Sequence, residues 1–238
     1  ICAAALHFGG AFTPGDLDHH NVQLTLTLAA MTALITGRSH VAGIIAGAAC
    51  ALMLAVGMET LPYVALAGLI ASAAFALGGR PEAAKAAGFG IGLAGAGFAA
   101  FIATVPASSW LVTQCDSYSL PQFSVALLSG LGLAAAAASP VVHRTFAGRL
   151  AALLALGAAV ALAVTAFPQC LASPYAGLDP RLQQFSLDNG TEAQPFWSVL
   201  THTWAKAVGY YATPALALVV LGLRLRTRNT AAAWMLTA

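Results

Sequence analysis

The chain has 238 residues, of which 59% are hydrophobic and only 8% are charged. A soluble domain carries roughly 25% charged residues, so this composition excludes an ordinary soluble protein. The net charge of +2 is too small to indicate a nucleic-acid partner. With a mean hydropathy of +0.81 and long apolar stretches that lack the two-residue alternation of a β-barrel, the chain is predicted to be an all-α polytopic membrane protein.

Seven full transmembrane helices and the start of an eighth are predicted along the chain. They are helix A (about 20–37), B (about 41–58), C (about 62–78), D (about 86–105), E (about 122–139), F (about 150–167) and G (about 203–222), with a last apolar run after residue 229. These helices form one transmembrane domain over residues 1–238. The chain begins with Ile1 rather than Met and ends inside an apolar run, so we expect a fragment of a larger protein.

The charged residues predict the orientation of these helices. Alternating the helices across the membrane puts eight of the ten basic residues on one side: Arg38, Arg80, Lys85, Arg144, Arg149, Arg224, Arg226 and Arg228. The other side receives seven of the eight acidic residues: Asp16, Asp18, Glu59, Asp116, Asp179, Asp188 and Glu192. Short loops rich in Lys and Arg stay in the cytoplasm, so the acidic side is predicted to face outwards. Three longer segments, residues 8–20, 106–121 and 168–198, are the outer loops.

The cysteines divide in the same way. Cys115 and Cys170 lie in two different outer loops, where the compartment is oxidising. A disulfide between them is one interpretation, and two unrelated loop thiols are the other. Cys2 and Cys50 lie in apolar runs, where a free cysteine acts as a packing residue.

The first candidate site lies at the mouth of helix A, where the sequence reads Asp16-Leu17-Asp18-His19-His20. In an extended backbone, residues two apart point the same way, so Asp16, Asp18 and His20 can line one side of this segment. Carboxylate oxygens and an imidazole nitrogen are ligands for a divalent cation. The alternative is that Asp18 caps the helix, with both histidines at the membrane interface.

The second candidate site is Glu192 in the longest outer loop, followed by Gln194, Pro195, Phe196 and Trp197. A carboxylate beside an aromatic pair near the membrane surface can reach a metal or a polar substrate. Alternatively, Glu192 is a solvated loop residue and the two aromatic side chains anchor the interface. The predicted topology puts this loop and the mouth of helix A on the same side, so a shared site is possible.

Together, Asp18-His19-His20 and the later Glu192-x-Gln194-Pro195 resemble the catalytic subunit of oligosaccharyltransferase, a membrane glycosyltransferase with the GT-C fold. The resemblance implies that Asp18 and His20 bind a divalent metal, Mg²⁺ or Mn²⁺, with Asp16 as a further or alternative ligand. It implies that Glu192 approaches the metal and the acceptor, so that Asp18 and Glu192 are the catalytic pair. The family includes bacterial single-subunit enzymes, which implies a location in the inner membrane with a periplasmic active face.

The implied reaction transfers a sugar or oligosaccharide from a polyprenyl-phosphate-type lipid carrier to an acceptor that the sequence does not identify. The lipid phosphate needs a cationic partner, and the two basic residues on the outer side are Arg181 and Lys206. Lys206 can equally extend its ammonium group to the interface. Glu59, before Pro62, is interpreted as a turn residue.

Two other classes of protein remain as alternatives. A transporter places ionisable groups inside the membrane, whereas the interiors of helices A to F, by their predicted bounds, contain none. A non-catalytic membrane assembly subunit would carry the histidine pair without using it.

Overall fold

The computed structural model describes residues 19–37 and 39–172, together with 181, 196–202 and scattered positions from 204 to 223. All regular structure in this part of the chain is helical. The helices are α1 (His19–Thr36), α2 (His40–Val56), α3 (Leu61–Gly78), α4 (Arg80–Thr104), α5 (Leu120–Ala138), α6 (Phe146–Thr165), α7 (Pro168–Ala172) and α8 (Phe196–His202). The chain divides into two compact units, Ile1–Pro174 and Tyr175–Ala238, so α1 to α7 belong to the first and α8 to the second.

Hydropathy identified helices A to F, which correspond to α1 to α6. Four helical segments in the described residues are long and apolar enough to cross a membrane: Met58–Gly78, Arg80–Thr104, Leu120–Ala138 and Phe146–Thr165. These segments support an integral membrane protein. Helices α1 and α2 are not among these four segments, and His40–Val56 is a shorter apolar helix. Most of helix G and the start of the eighth helix lie outside the described residues, so seven full spans remain a prediction.

Helix α4 begins at Arg80, whereas helix D was predicted to begin near residue 86. The sequence Gly79-Arg80-Pro81 was interpreted as the start of a loop. However, Pro81 lies in the first turn of the helix, where a residue without an N–H group is tolerated. Gly79 adopts a positive φ of 68° at this junction, which lets α3 end and α4 begin without an intervening loop.

Glycine residues bring α2 and α4 into direct backbone contact. A Cβ atom at Gly47 would overlap the carbonyl oxygen of Phe89, and one at Gly92 would overlap that of Ile44. The contacting residues advance together along both helices, so α2 and α4 run parallel. On another face of α4, Gly90 meets Gly130 of α5 in the same way. Helix α4 therefore forms the centre of the bundle, whereas α6, described in full, has no buried residue.

The alternating direction of α1 to α6 gives the bundle two ends. We call the end where α1, α3 and α5 begin the acidic end, because Glu59 and Asp116 lie there. The opposite end is the basic end. Three of its side chains contact carbonyl oxygens in the last turns of α1, α3 and α5: Lys85 Nζ on Leu34 (2.9 Å), Arg149 Nε on Ala76 (2.9 Å) and the His143 ring on Ala137. These oxygens lack partners within their own helices and carry the negative end of the helix dipole.

An ion pair is buried inside α4 at the basic end. Lys85 Nζ lies 3.0 Å from Glu82 Oε2, and the two side chains are only 4% and 10% exposed. The prediction that the interiors of helices A to F contain no ionisable residue depended on a start of helix D near residue 86. The early start of α4 brings both residues into a candidate membrane span. The pair is tolerated because each charge has a partner and Lys85 also binds α1.

Substituting Gly92 tests the contact between α2 and α4. In Gly92→Ala, the added methyl group must displace the backbone of α2, and we expect a loss of about 1–3 kcal/mol in the free energy of unfolding. Gly95→Ala on the same helix is the matched control, because nothing lies within 4 Å of its Cβ position. Reversible unfolding in mixed detergent micelles measures both variants. Equal stability of the two would contradict the close approach.

Removing Lys85 tests the buried ion pair. Lys85→Met leaves the Glu82 carboxylate buried beside an apolar chain, and we expect about 3–5 kcal/mol of destabilisation. Adding Glu82→Met to that variant removes the stranded charge and is expected to restore part of the loss. Arg80→Met is the control, because it removes an exposed cation from the same end. A loss no larger than that of the control would show that the pair is solvated.

Candidate functional site

The predicted site residues fall only partly within the described chain. Asp16, Asp18, Glu192 and Lys206 lie outside the described residues, so their roles remain predictions. Of the others, His20 lies in the first turn of α1 and is partly exposed, and Arg181 is exposed. Within the described part of the chain, no group of three or more His, Cys, Asp or Glu side chains is placed to hold a metal ion.

A polar cluster occupies the acidic end where α1 begins. Glu59, in the 3₁₀ turn Met58–Thr60, lies between two side chains of α1. The Gln23 amide donates a hydrogen bond to Glu59 Oε2 at 3.2 Å, and His19 Nε2 lies 3.4 Å from Glu59 Oε1. The His19 and His20 rings are in contact, with their centroids 4.2 Å apart. The cluster therefore connects the predicted metal-binding segment to the turn between α2 and α3.

The backbone around Glu59 is shaped to hold its carboxylate. A Cβ atom at Gly57 would overlap both Glu59 Oε2 and Gln23 Nε2, so their hydrogen bond occupies the space that a side chain at this position would enter. Thr60 is buried and donates from Oγ1 to the Gly57 carbonyl at 2.8 Å, which closes the turn. Gln23 is also buried, with 7% exposure, and its amide can therefore serve Glu59 rather than water.

The sequence analysis interpreted Glu59 only as a turn residue. Glu59 does lie in a turn, but the sequence analysis did not predict its contacts with His19 and Gln23 of α1. The sequence signal was Gln23, a polar residue one turn inside an apolar helix. A buried amide needs a hydrogen-bonding partner, and Glu59 was the acidic residue at the matching depth of the next helix pair.

Cys115 and Cys170 form a disulfide, with their Cα atoms 5.2 Å apart. The structure thus decides between the two interpretations of these cysteines in favour of the bond. The disulfide joins the loop before α5 to α7, which follows α6 directly. The predicted outer loop over residues 168–198 therefore starts at the acidic end, the end that also carries His19, His20 and Glu59.

The loop that carries Cys115 is anchored to the neighbouring helices. The Tyr118 hydroxyl donates to the Gly97 carbonyl of α4 at 3.0 Å, and burial raises the pKa of Tyr118 to about 12, so this donor stays protonated. Ser119 donates through its hydroxyl to the Gln114 carbonyl and through its N–H to Gln122 Oε1. These contacts fix the position of Cys115. Through the disulfide they also hold Cys170, which lies among the first residues of the predicted outer loop 168–198.

In the second unit, α8 carries the aromatic pair that follows Glu192. Trp197 is 71% exposed, as an interfacial anchor would be. The hydroxyl of Thr201 lies 3.0 Å from His202 Nδ1 and 2.8 Å from the Trp197 carbonyl oxygen, to which it donates. These contacts stay within α8 and do not test the predicted role of Glu192.

The acidic end combines a fixed carboxylate with two imidazole rings beside the segment predicted to bind a metal. Such groups can bind a divalent cation or exchange a proton with a substrate. No family model, no curated protein and no solved structure matches the chain. The proposed function therefore depends on the sequence motifs, with their resemblance to oligosaccharyltransferase, and on the contacts at the acidic end.

Proposed function

We propose that the chain is the membrane domain of a glycosyltransferase. It would transfer a sugar or oligosaccharide from a polyprenyl-phosphate-type lipid carrier to an acceptor at the outer surface of the membrane. The observation that carries the proposal is the acidic end of the bundle. There the mouth of α1, with His20 and Glu59, and the first residues of the Glu192 loop, attached by Cys115–Cys170, lie at the same end.

A reaction at the membrane surface agrees with this arrangement. A polyprenyl carrier keeps its hydrocarbon chain in the bilayer and presents its phosphate at the interface. The exposed polar side chains that could meet this phosphate belong at an end of the bundle rather than at its centre. We propose that the acidic end faces outwards, towards the periplasm if the membrane is a bacterial inner membrane.

Asp16, Asp18, His20 and Glu192 would hold Mg²⁺ or Mn²⁺. Carboxylate oxygens suit both ions, and an imidazole nitrogen suits Mn²⁺ better than Mg²⁺. Side chains of the kinds that bind such an ion also lie together in the described part of this end: His20 contacts His19, which lies beside Glu59. A bound divalent ion would neutralise negative charge on the phosphate as the sugar leaves. Asp18 and Glu192 would orient the acceptor, and Arg181 or Lys206 would contact the lipid phosphate.

A transporter is the second candidate, and one observation favours it. Glu82 and Lys85 are ionisable residues buried inside a candidate membrane span, and such residues often mark a transport pathway. Their contacts also have a structural explanation, because Lys85 binds the last turn of α1. The pair therefore supports transport less strongly than the acidic end supports an enzyme at the membrane surface.

Asp18→Ala and Glu192→Ala test the proposed site. Each substitution removes a carboxylate that the reaction would need, and we expect transfer to fall at least about 100-fold while the variants fold normally. The measurement is transfer from a radiolabelled polyprenyl-linked sugar by the full-length protein in proteoliposomes, with and without EDTA. Asp116→Asn is the control, because it removes an exposed acid from the same end.

Undiminished transfer in both alanine variants would refute these roles. Labelling provides a second test of the same site. Single cysteines placed at positions 18 and 192 should both react with a membrane-impermeant maleimide added from the outer side. If only one of them reacts, the two residues face different compartments and cannot share a site.

A further inference from the structure

We infer that Glu59 is a positioning residue of the proposed metal site and acts through His19. The inference rests on the proposed function, because it assumes that the segment Asp18-His19-His20 binds a divalent cation. It adds a residue from a different part of the chain, the turn between α2 and α3. That residue fixes the histidine between the two predicted ligands.

The contacts of Glu59 leave one carboxylate oxygen for His19. Gln23, a buried side chain, donates to Oε2 at 3.2 Å, and the missing Cβ of Gly57 makes room for this hydrogen bond. With Oε2 held in this way, Oε1 faces the His19 ring, 3.4 Å from Nε2. The direction in which the carboxylate points is thus set by groups that lie below it in the bundle.

A carboxylate in this position controls the orientation of the ring. A carboxylate that is hydrogen-bonded to a histidine holds the ring in one direction. The His19 ring also contacts the His20 ring, so fixing the first restricts the second.

A purely structural role for Glu59 would affect folding stability rather than metal affinity. Its side chain is 57% exposed and that of His19 is 47% exposed, so water screens the attraction between them. Exposed pairs of this kind contribute little to folding stability. Replacing Glu59 should therefore change metal affinity far more than it changes the melting temperature of the metal-free protein.

The experiment measures Mn²⁺ binding to the purified full-length protein in detergent micelles, by electron paramagnetic resonance of the free ion. We expect Glu59→Gln to raise the dissociation constant at least about tenfold, the usual effect of losing a residue that supports a metal ligand. Glu59→Asp keeps the charge and should restore part of the affinity. Asp116→Asn, which removes an exposed acid from the same end, should bind Mn²⁺ as tightly as the original protein.

A double-mutant cycle with His19→Gln tests the route of the effect. If Glu59 acts through His19, then Glu59→Gln should have little further effect in the His19→Gln background. Independent effects, which multiply in the dissociation constant, would overturn the inference. So would Mn²⁺ binding by Glu59→Gln that matches the original protein, although the proposed function would then stand. If the original protein binds no Mn²⁺, both the metal site and the role of Glu59 are refuted.

Discussion

The backbone contact between α2 and α4 is the constraint on which the rest of the bundle depends. Gly47 and Gly92 each face a carbonyl oxygen of the other helix, so the two helices approach more closely than side chains would allow. In a membrane, such close approach replaces the hydrophobic driving force that a soluble core would supply. Helix α5 packs on α4 through Gly90 and Gly130 in the same manner. The directions of these three helices establish the two ends of the bundle.

The basic side chains at one end of the bundle cap helices, in addition to predicting the orientation of the bundle in a membrane. Lys85, Arg149 and His143 contact the final carbonyl groups of three helices that end together. At the basic end, the charges that predict sidedness in the sequence are therefore also helix caps in the structure.

The polar cluster at the mouth of α1 differs from these caps. Glu59 accepts a hydrogen bond from the buried Gln23 amide of α1, in the space beside Gly57 that a side chain there would enter. This construction orients a carboxylate towards His19 and does not satisfy a helix end. An acid beside two histidines is a combination that can bind a cation or exchange a proton. We therefore place the proposed reaction at the acidic end rather than at the capped basic end.

The sequence by itself determined the helical class and the approximate positions of α1 to α6, because apolar length and composition decide which segments can cross a membrane. It misplaced the start of α4, because Gly79-Arg80-Pro81 was interpreted as a loop, although Pro81 and Glu82 suit the first turn of a helix. The sequence did not decide whether Cys115 and Cys170, which are 55 residues apart, form a disulfide.

Only the tertiary structure could bring Glu59 to His19, 40 residues away, because their contact depends on how α1 packs against the turn between α2 and α3. The predicted roles of Asp16, Asp18 and Glu192 lie outside the described residues and remain predictions of the sequence alone.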